Sequence, residues 1–440
     1  MSQSPVPIVT TVSPTDLSNI LNKIILPGIE DMLPQDTVWY KIAERKMMNM
    51  VSNQFYFTVR SGRNTGVAAV TENNKVPVGK SAFAQANVSA KFVFGGFNIS
   101  DQSLESAKGQ PGSLEEVLSL HGKYTRIDMA RKLNRYFWKA GDGVLAIAVS
   151  STASSTVHSF TVSNYQGVTV AGDVAIRPAK YLQVGGKYLC GASRAAASLV
   201  LTITGITTGT TTDTIVATSA TGAVSVGDFL YDVDGDSAIA DEPMGAQGIV
   251  DDGTLTGSGM TGDIPAAVST FEGIARSTND YWKAGITTMG GALTEAAMVT
   301  TFLKAREFGN PELIFMNQKL FAKYGNLLAT YKKTASTKEV QTGGFAGNAS
   351  EGSIVGLEFA AGGNNATVVL DYDCPDREVY FIDPTSIKIA QLSGMQWLDD
   401  GKGNVLRFTD YANYQAILKW YGNLVCTDVR ANAKIITATV

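Results

Sequence analysis

Two hydrophobic periods alternate along the chain. Near the N-terminus Leu17, Ile20, Leu21, Ile24 and Ile25 recur at the spacing of one helix face. Ser13 is placed to cap that helix, Pro14 suits its first position, Asp16 favours the positive end, and Pro27-Gly28 closes it. A lone apolar stripe on an arm has to be covered, either by the chain's own core or by a neighbouring subunit. The period then falls to two. Phe55, Phe57 and Val59 point one way, with Tyr56, Thr58 and Arg60 opposite, and Val88, Ala90, Phe92 and Phe94 repeat the alternation. Between these strands lie about 26 residues, 61 to 86, rich in Gly, Asn and Lys. Hairpin loops usually have two to five residues, so this one is expected to project from its own subunit and lie across another.

After a break at Gly109 to Gly112, Ser113 and Glu116 form a capping box that opens a helix running to about Ala140, where Gly141-Asp142-Gly143 stops it. At 1.5 Å per residue it spans about 40 Å. Val117, Leu118, Tyr124, Ile127, Ala130, Leu133, Phe137 and Trp138 supply its apolar faces. Arg126, Arg131, Lys132, Arg135 and Lys139 crowd its C-terminal half. They read first as a solvated face complementing the helix dipole, and second as a binding patch.

From about Ser150 to Pro265, short β-branched stretches alternate with Gly, Asp and Ser turns, as in a small all-β module. Two segments in it echo each other, Val184-Gly185-Gly186-Lys187-Tyr188-Leu189 and Val226-Gly227-Asp228-Phe229-Leu230-Tyr231. The last third is mixed. Helices are expected at Leu293 to Phe308 and Gln318 to Tyr331, with strands near 313–316, 354–359, 367–370, 379–382 and 387–391. A Gly-rich loop covers Thr334 to Ser353, and an apolar stretch from Tyr411 to Val425 precedes a closing strand from Ala433.

Composition narrows the function classes. Apolar residues make up 44% and charged residues 17%, which is globular. A net charge of −4 does not mark a nucleic-acid or anionic-membrane binder. The longest apolar run, Val144 to Val149, falls far short of the roughly 20 residues of a membrane span, and Met1 to Pro14 lacks the pattern of a secretory signal. Cys190, Cys374 and Cys426 imply no disulfide framework, which fits folding in a reducing cytoplasm.

Candidate chemistry is sparse. His121 and His158 have no Cys or carboxylate at metal-ligand spacing, so each reads as structural. Gly79-Lys80-Ser81 ends like a phosphate loop, but Asn74 stands where the upstream glycine is required. Asp232, Asp234 and Asp236 are the best metal candidate, for calcium. Their glycine falls between the second and third aspartates, and Glu242 comes one residue early, so a solvated turn is the expectation. No nucleophile elbow and no dinucleotide fingerprint occurs. No catalytic, cofactor-binding or metal residue is assigned, no cofactor is expected, and the chain reads as a non-enzyme.

Several local patterns, in order, resemble the major capsid proteins of tailed bacteriophages, whose fold is shared with the herpesvirus capsid floor and encapsulins. They are the long hairpin with Lys75-Val76-Pro77; Gly95-Gly96-Phe97-Asn98-Ile99-Ser100-Asp101 before the long helix; Arg126-Ile127-Asp128 and Gly141-Asp142-Gly143 at its close; Glu272-Gly273-Ile274-Ala275-Arg276-Ser277-Thr278-Asn279 with Trp282; Leu313 to Gln318; and Ile354-Val355-Gly356-Leu357-Glu358-Phe359.

The resemblance implies an α+β fold: N-terminal arm (1–52), extended loop (53–100), peripheral domain with a long spine helix (101–150), an inserted β-rich domain (151–270), a segment leading into and forming the axial domain (271–394), and strands returning to the peripheral domain (395–440). It implies pentamers and hexamers in an icosahedral virion shell, assembled in the host bacterial cytoplasm. That shell would enclose double-stranded DNA without sequence-specific binding or membrane association. Implied partners are scaffolding protein, portal and a decoration protein. Some family members cross-link their loops, and Lys75 or Lys80 are the candidates by location. The alternatives are an encapsulin-like compartment subunit and, from another class, a β-rich secreted binding or carbohydrate-active protein.

Overall fold

The long helix, Ser113–Trp138, lies across one face of a five-stranded sheet. Its C-terminal half brings Met129, Leu133 and Phe137 onto Val93, Ile389, Leu418, Trp420 and Leu424. The contact is close because Gly95, in the strand Lys91–Ser100, sits under the helix, where a Cβ would lie 3.4 Å from Thr125 Cγ2. That strand pairs antiparallel with Asn413–Cys426, which pairs in turn with Ile387–Trp397 and Leu406–Arg407; Met48–Asn49 completes the sheet. In this computed structural model the described residues are 37–44, 48–49, 53–102, 113–164, 179–209, 212–234, 238–253, 269–330, 337–341, 353–361, 363–398, 406–407, 413–436 and 438. The amphipathic segment 13–28 lies outside them, as do the side chains of the capping box.

A seven-stranded sheet stands on the far side of the helix's C-terminal end. Its order is Gly285–Thr288, Ala433–Ile436, Val379–Ile382, Leu313–Met316, Asn364–Leu370, Ser353–Ala361 and Thr337–Gln341. The central strands are apolar throughout because both faces are covered. Leu313, Phe315, Tyr380 and Ile382 face the long helix, while Ile314, Met316, Val379 and Phe381 face the side of the helices Glu295–Arg306 and Gln318–Thr330. Thr294 caps the first of these helices by accepting from Ala297 N at 3.3 Å.

The two sheets meet at aromatic rings. Trp138 lies 5.4 Å from Trp39, 5.3 Å from Phe315 and 5.2 Å from Tyr380, centroid to centroid. The buried Asp371 carboxylate accepts from Trp138 Nε1 at 2.9 Å and from Trp39 N at 3.1 Å. Two strand assignments change against the expected division. Ile387–Gln391, placed with the axial strands, pairs with Asn413–Cys426 in the five-stranded sheet; the closing strand, expected to return with 395–440, pairs with Val379–Phe381 in the seven-stranded one. Sheet membership is a long-range choice that local alternation does not encode.

The β-rich region closes into a barrel. Its strands are Val144–Ala148, Ser155–Asn164, Lys187–Gly191, Leu199–Thr207, Asp213–Gly222 and Phe229–Tyr231. Phe160, Val162, Leu201, Ile203, Ile215, Ala217 and Leu230 fill its interior. The barrel starts upstream of the expected boundary at 151, because the apolar run after Gly143 is its first strand. It ends before the expected boundary at 270, since Ala246, Ile249 and Val250 pack into the main core. The echoing segments each turn through a positive-φ glycine, Gly185 (φ 84°) or Gly227 (φ 91°), and lead into strands that pair with each other, Tyr231 opposite Leu189. Among the described residues, no helix is long and apolar enough to cross a membrane.

Trp138→Ala is expected to cost about 3–5 kcal/mol in urea unfolding, from the cavity left between the sheets. Trp138→Phe, which keeps most of the ring but leaves Asp371 without one donor, should cost about 1–3 kcal/mol.

Candidate assembly surface

The strands Gln54–Gly62 and Ala82–Ser89 form the expected antiparallel hairpin, Tyr56 opposite Asn87. Its alternation is as expected, with Phe55, Phe57 and Val59 turned inward. At its root Phe55 and Phe57 pack on Val88, Ala90, Ala390 and Val425. Asn87 N donates to Glu272 O at 2.9 Å, and Asn423 Nδ2 to Ser89 O at 3.1 Å. The strands run further than their pattern suggested, so the connection narrows to 63–81. Within it Val67 is 82% exposed and Val78 92%. Gly66 and Gly79 let its two limbs touch, since a Cβ on Gly66 would fall 2.3 Å from Gly79 N. Gly79-Lys80-Ser81 lies on this projecting limb, with Arg60 Nη2 donating to Ser81 Oγ at 3.2 Å, and Lys75 and Lys80 are exposed.

The alternation expected to run on through Phe92 and Phe94 breaks at Ala90. There the chain leaves the hairpin and joins the five-stranded sheet in the opposite phase, turning Val93 inward and Phe92 and Phe94 outward. Both outward rings meet Tyr421 edge-on, at 4.9 and 5.5 Å, and Lys419 Nζ sits 5.6 Å from the Tyr421 centroid. Phe92 and Phe94 remain 50% and 57% exposed. The face opposite the long helix thus carries an aromatic patch beside the projecting hairpin.

The segment from Glu272 to Trp282 holds the hairpin root. Glu272 and Gly273 form a tight turn between Thr270–Phe271 and Ile274–Ala275, both at positive φ (52° and 78°). For a non-glycine residue that geometry costs of order 1 kcal/mol or more. It is offset by anchoring, as Glu272 Oε1 accepts from Cys426 N at 2.8 Å. Arg276, fully buried, donates to Gly248 O at 2.8 Å and Ile249 O at 2.6 Å, with Asp251 at 3.8 Å. Trp282 Nε1 donates to Phe271 O at 3.0 Å. Burial pushes Glu272 well above the usual carboxylate range.

The basic run on the long helix divides. Arg126 is exposed and Lys132 is about half exposed, as a solvated face requires. Arg135 and Lys139 are buried, contrary to that expectation. Arg135 donates to Asp232 Oδ2 at 2.7 Å and Glu242 Oε1 at 2.6 Å. Asp232 is therefore no solvated residue but half of an internal ion pair, reinforced by Lys132 at 3.0 Å. Burial works to raise its carboxyl, and Arg135 and Lys132 outweigh it and hold it below its usual value. Asp234 is occupied in the turn, accepting from Ala238 N at 2.9 Å, and Asp236 lies outside the described residues. Among the described residues no group of three His, Cys, Asp or Glu side chains is placed to hold a metal ion.

Both histidines are built into packing. His158 is fully buried, its Nδ1 3.0 Å from Thr152 Oγ1 and its Nε2 2.7 Å from Ser219 Oγ. His121 stacks on Phe97 with ring centroids 5.6 Å apart, and burial lowers its pKa. All three cysteines are buried with their thiol pKa values raised by burial, Cys190 to about 12, so none presents a nucleophilic thiolate.

No protein-family model and no curated protein matches the sequence. Solved structures do. A chain of the cyanophage A-1(L) capsid asymmetric unit aligns with a TM-score of 0.52 at 12% identity, covering 97% of this chain and 100% of that one. The capsid of a native GTA particle gives 0.45 at 11% identity, over 98% and 99%. The holo-SrpI encapsulin complex from Synechococcus elongatus gives 0.44 at 6%, over 97% and 95%. The chain has the mixed α+β fold of the cyanophage capsid chain.

Because Glu272 is held above its usual pKa, its ionised form is disfavoured in the folded state. Its stabilising contribution is complete below the unfolded value near 4.5 and is lost as pH rises through the folded value. Glu272→Gln keeps an oxygen for Cys426 N and removes the charge. It should raise the unfolding free energy measured in urea at pH 8, with the gap to the native chain closing as pH falls to the unfolded value near 4.5. A pH-independent gap would assign its effect to packing alone.

Proposed function

We propose that this chain is a non-catalytic shell subunit, a phage-type major capsid protein that assembles as pentamers and hexamers into an icosahedral head around double-stranded DNA. The observation that carries the reading is the end-to-end likeness of fold to the cyanophage capsid chain, without a large unmatched region on either side. Geometry supports it from another direction. A hairpin whose tip valines touch no core of their own, beside an outward aromatic patch, is costly to leave in water in a monomer. In a lattice the same groups would add to obligate interfaces of roughly 2,000–5,000 Å². The mild negative charge also suits a wall that contains DNA without gripping it, since phosphate binding rises with neutralising Lys and Arg.

In this reading the hairpin is the extended loop, Ser113–Trp138 is the spine helix, the seven-stranded sheet belongs to the axial side, and the barrel is a module inserted after the spine helix. Scaffolding protein, portal and a decoration protein are the expected partners, and the virion is the expected location.

Electron microscopy of the purified protein tests this directly. Hollow uniform shells or ring-shaped capsomers are expected, and a monodisperse monomer at every salt and protein concentration would overturn the reading. Shells filled with a protein cargo in the producing cell, and never with DNA, would favour a compartment of the encapsulin kind. Replacing residues 63–81 by a two-residue Asn-Gly turn should leave circular dichroism and the melting transition nearly unchanged while abolishing shells.

A further inference from the structure

The barrel is joined to the body by a narrow neck. The chain enters through Lys139 to Gly143, and the described residues of its exit are Asp232 to Asp234 and Ala238 to Gly245. The two passages run side by side, Asp232 N donating to Gly143 O at 2.8 Å on the barrel side and Gly245 N to Lys139 O at 2.8 Å on the body side. Two of the entering residues, Gly141 and Gly143, sit at φ 73° and 78°, where other residues are strained. These two glycines are the positions of the entering passage whose backbone is least restricted by a side chain.

Charge closes the neck. Arg135 projects from the last turn of the long helix between the passages, reaching Asp232 on the near side and Glu242 further along. The guanidinium lies 4.6 Å from the Tyr136 ring centroid on its own helix and 5.6 Å from that of Tyr181, which belongs to the barrel. Tyr136 OH donates to Asp232 Oδ2 at 3.2 Å. Arg194, also from the barrel, donates to Asp142 O at 2.9 Å. A third tether comes from the seven-stranded sheet, where Tyr181 OH meets Asp373 Oδ1 at 3.2 Å and Lys180 Nζ donates to Tyr372 O at 2.7 Å.

We propose that this neck is a latched hinge: Arg135 Nη2, donating to Asp232 and Glu242 at once, sets the angle at which the barrel stands on the long helix, and losing both carboxylate charges widens the range of angles the barrel takes about Gly141 and Gly143, within the limits left by the Lys180, Tyr181 and Arg194 contacts. The inference does not depend on the shell reading, since it concerns one chain. Directional pairing is what distinguishes it from ordinary core packing. One guanidinium nitrogen shared by carboxylates on two stretches of the exit passage ties both stretches to the helix end through charge-assisted bonds, whereas apolar contacts tolerate sliding. Substituting the pair removes the grip without touching the apolar interior of the barrel or of the body.

The test is a distance measurement in the full-length chain. Spin labels are placed at Val184→Cys, on an exposed barrel turn, and Ala296→Cys, on an exposed helix of the body, the three native thiols being buried. Labelled chain is diluted into unlabelled chain so that only intramolecular pairs are read. The native neck should give one narrow distance distribution. The Asp232→Asn/Glu242→Gln variant should give one roughly twofold broader, or displaced, with unchanged circular dichroism. An equally narrow, unmoved distribution in the folded variant would overturn the proposal. Should the variant not fold, hydrogen exchange on the native chain decides. Neck amides of Asp232 and Gly245 protected as strongly as the barrel strands support a closed latch, and exchange at loop rates refutes it.

Discussion

Burial of the last two turns of the long helix is the constraint on which the rest of the structure depends. From Leu133 to Ala140 every residue is buried, polar ones included. A helix end buried on all sides needs partners all round it. The five-stranded sheet covers Phe137 through Trp420, the seven-stranded sheet covers Trp138 through Phe315 and Tyr380, and Arg135 faces the neck of the barrel. Three structural units therefore share one anchor, and none of the three interfaces can slide without disturbing the other two.

That anchor explains how the chain can hold its extended parts out. The hairpin beyond its root adds little to any core and draws its order from Asn87, Ser89 and the strained Glu272–Gly273 turn. The outward aromatics on the five-stranded sheet likewise contribute nothing to the helix packing on its other face. Stability is concentrated at the centre, and the periphery keeps apolar groups that only a further surface could cover.

The sequence was legible wherever a local rule decides. Helix and strand existence followed from period, the long helix stopped near its glycines, and the hairpin alternation held through Val59. Reading failed where the deciding partner is distant. Phe92 and Phe94 share the phase of Val88 on paper, but the chain changes sheets at Ala90 and the phase inverts. Arg135 and Lys139 look like dipole complements because nothing local shows that Glu242 arrives 107 residues later. Asp232 looked solvated for the same reason. Val144–Ala148 was read with the helix before it, whereas a closed barrel needs it as a strand.

The same long-range logic bears on the absence of assigned catalytic residues. Strongly shifted pKa values usually mark functional sites, and this chain has several: Glu242 raised to about 7 by burial, Lys139 lowered to about 7 by burial, and Asp251 and Glu272 raised by burial. Yet their contacts join separate elements. Arg276 reaches the carbonyls before Asp251, Lys434 donates to Gln247 O at 3.1 Å, and Glu272 holds Cys426 N. Buried ion pairs are weak contributors to stability and strong selectors of geometry, because an unpaired buried charge penalises any other arrangement. In this chain such selectors hold the hairpin root, the two sheets and the barrel neck at fixed mutual angles. Each of these perturbed groups joins elements that are distant in sequence and holds them in one orientation.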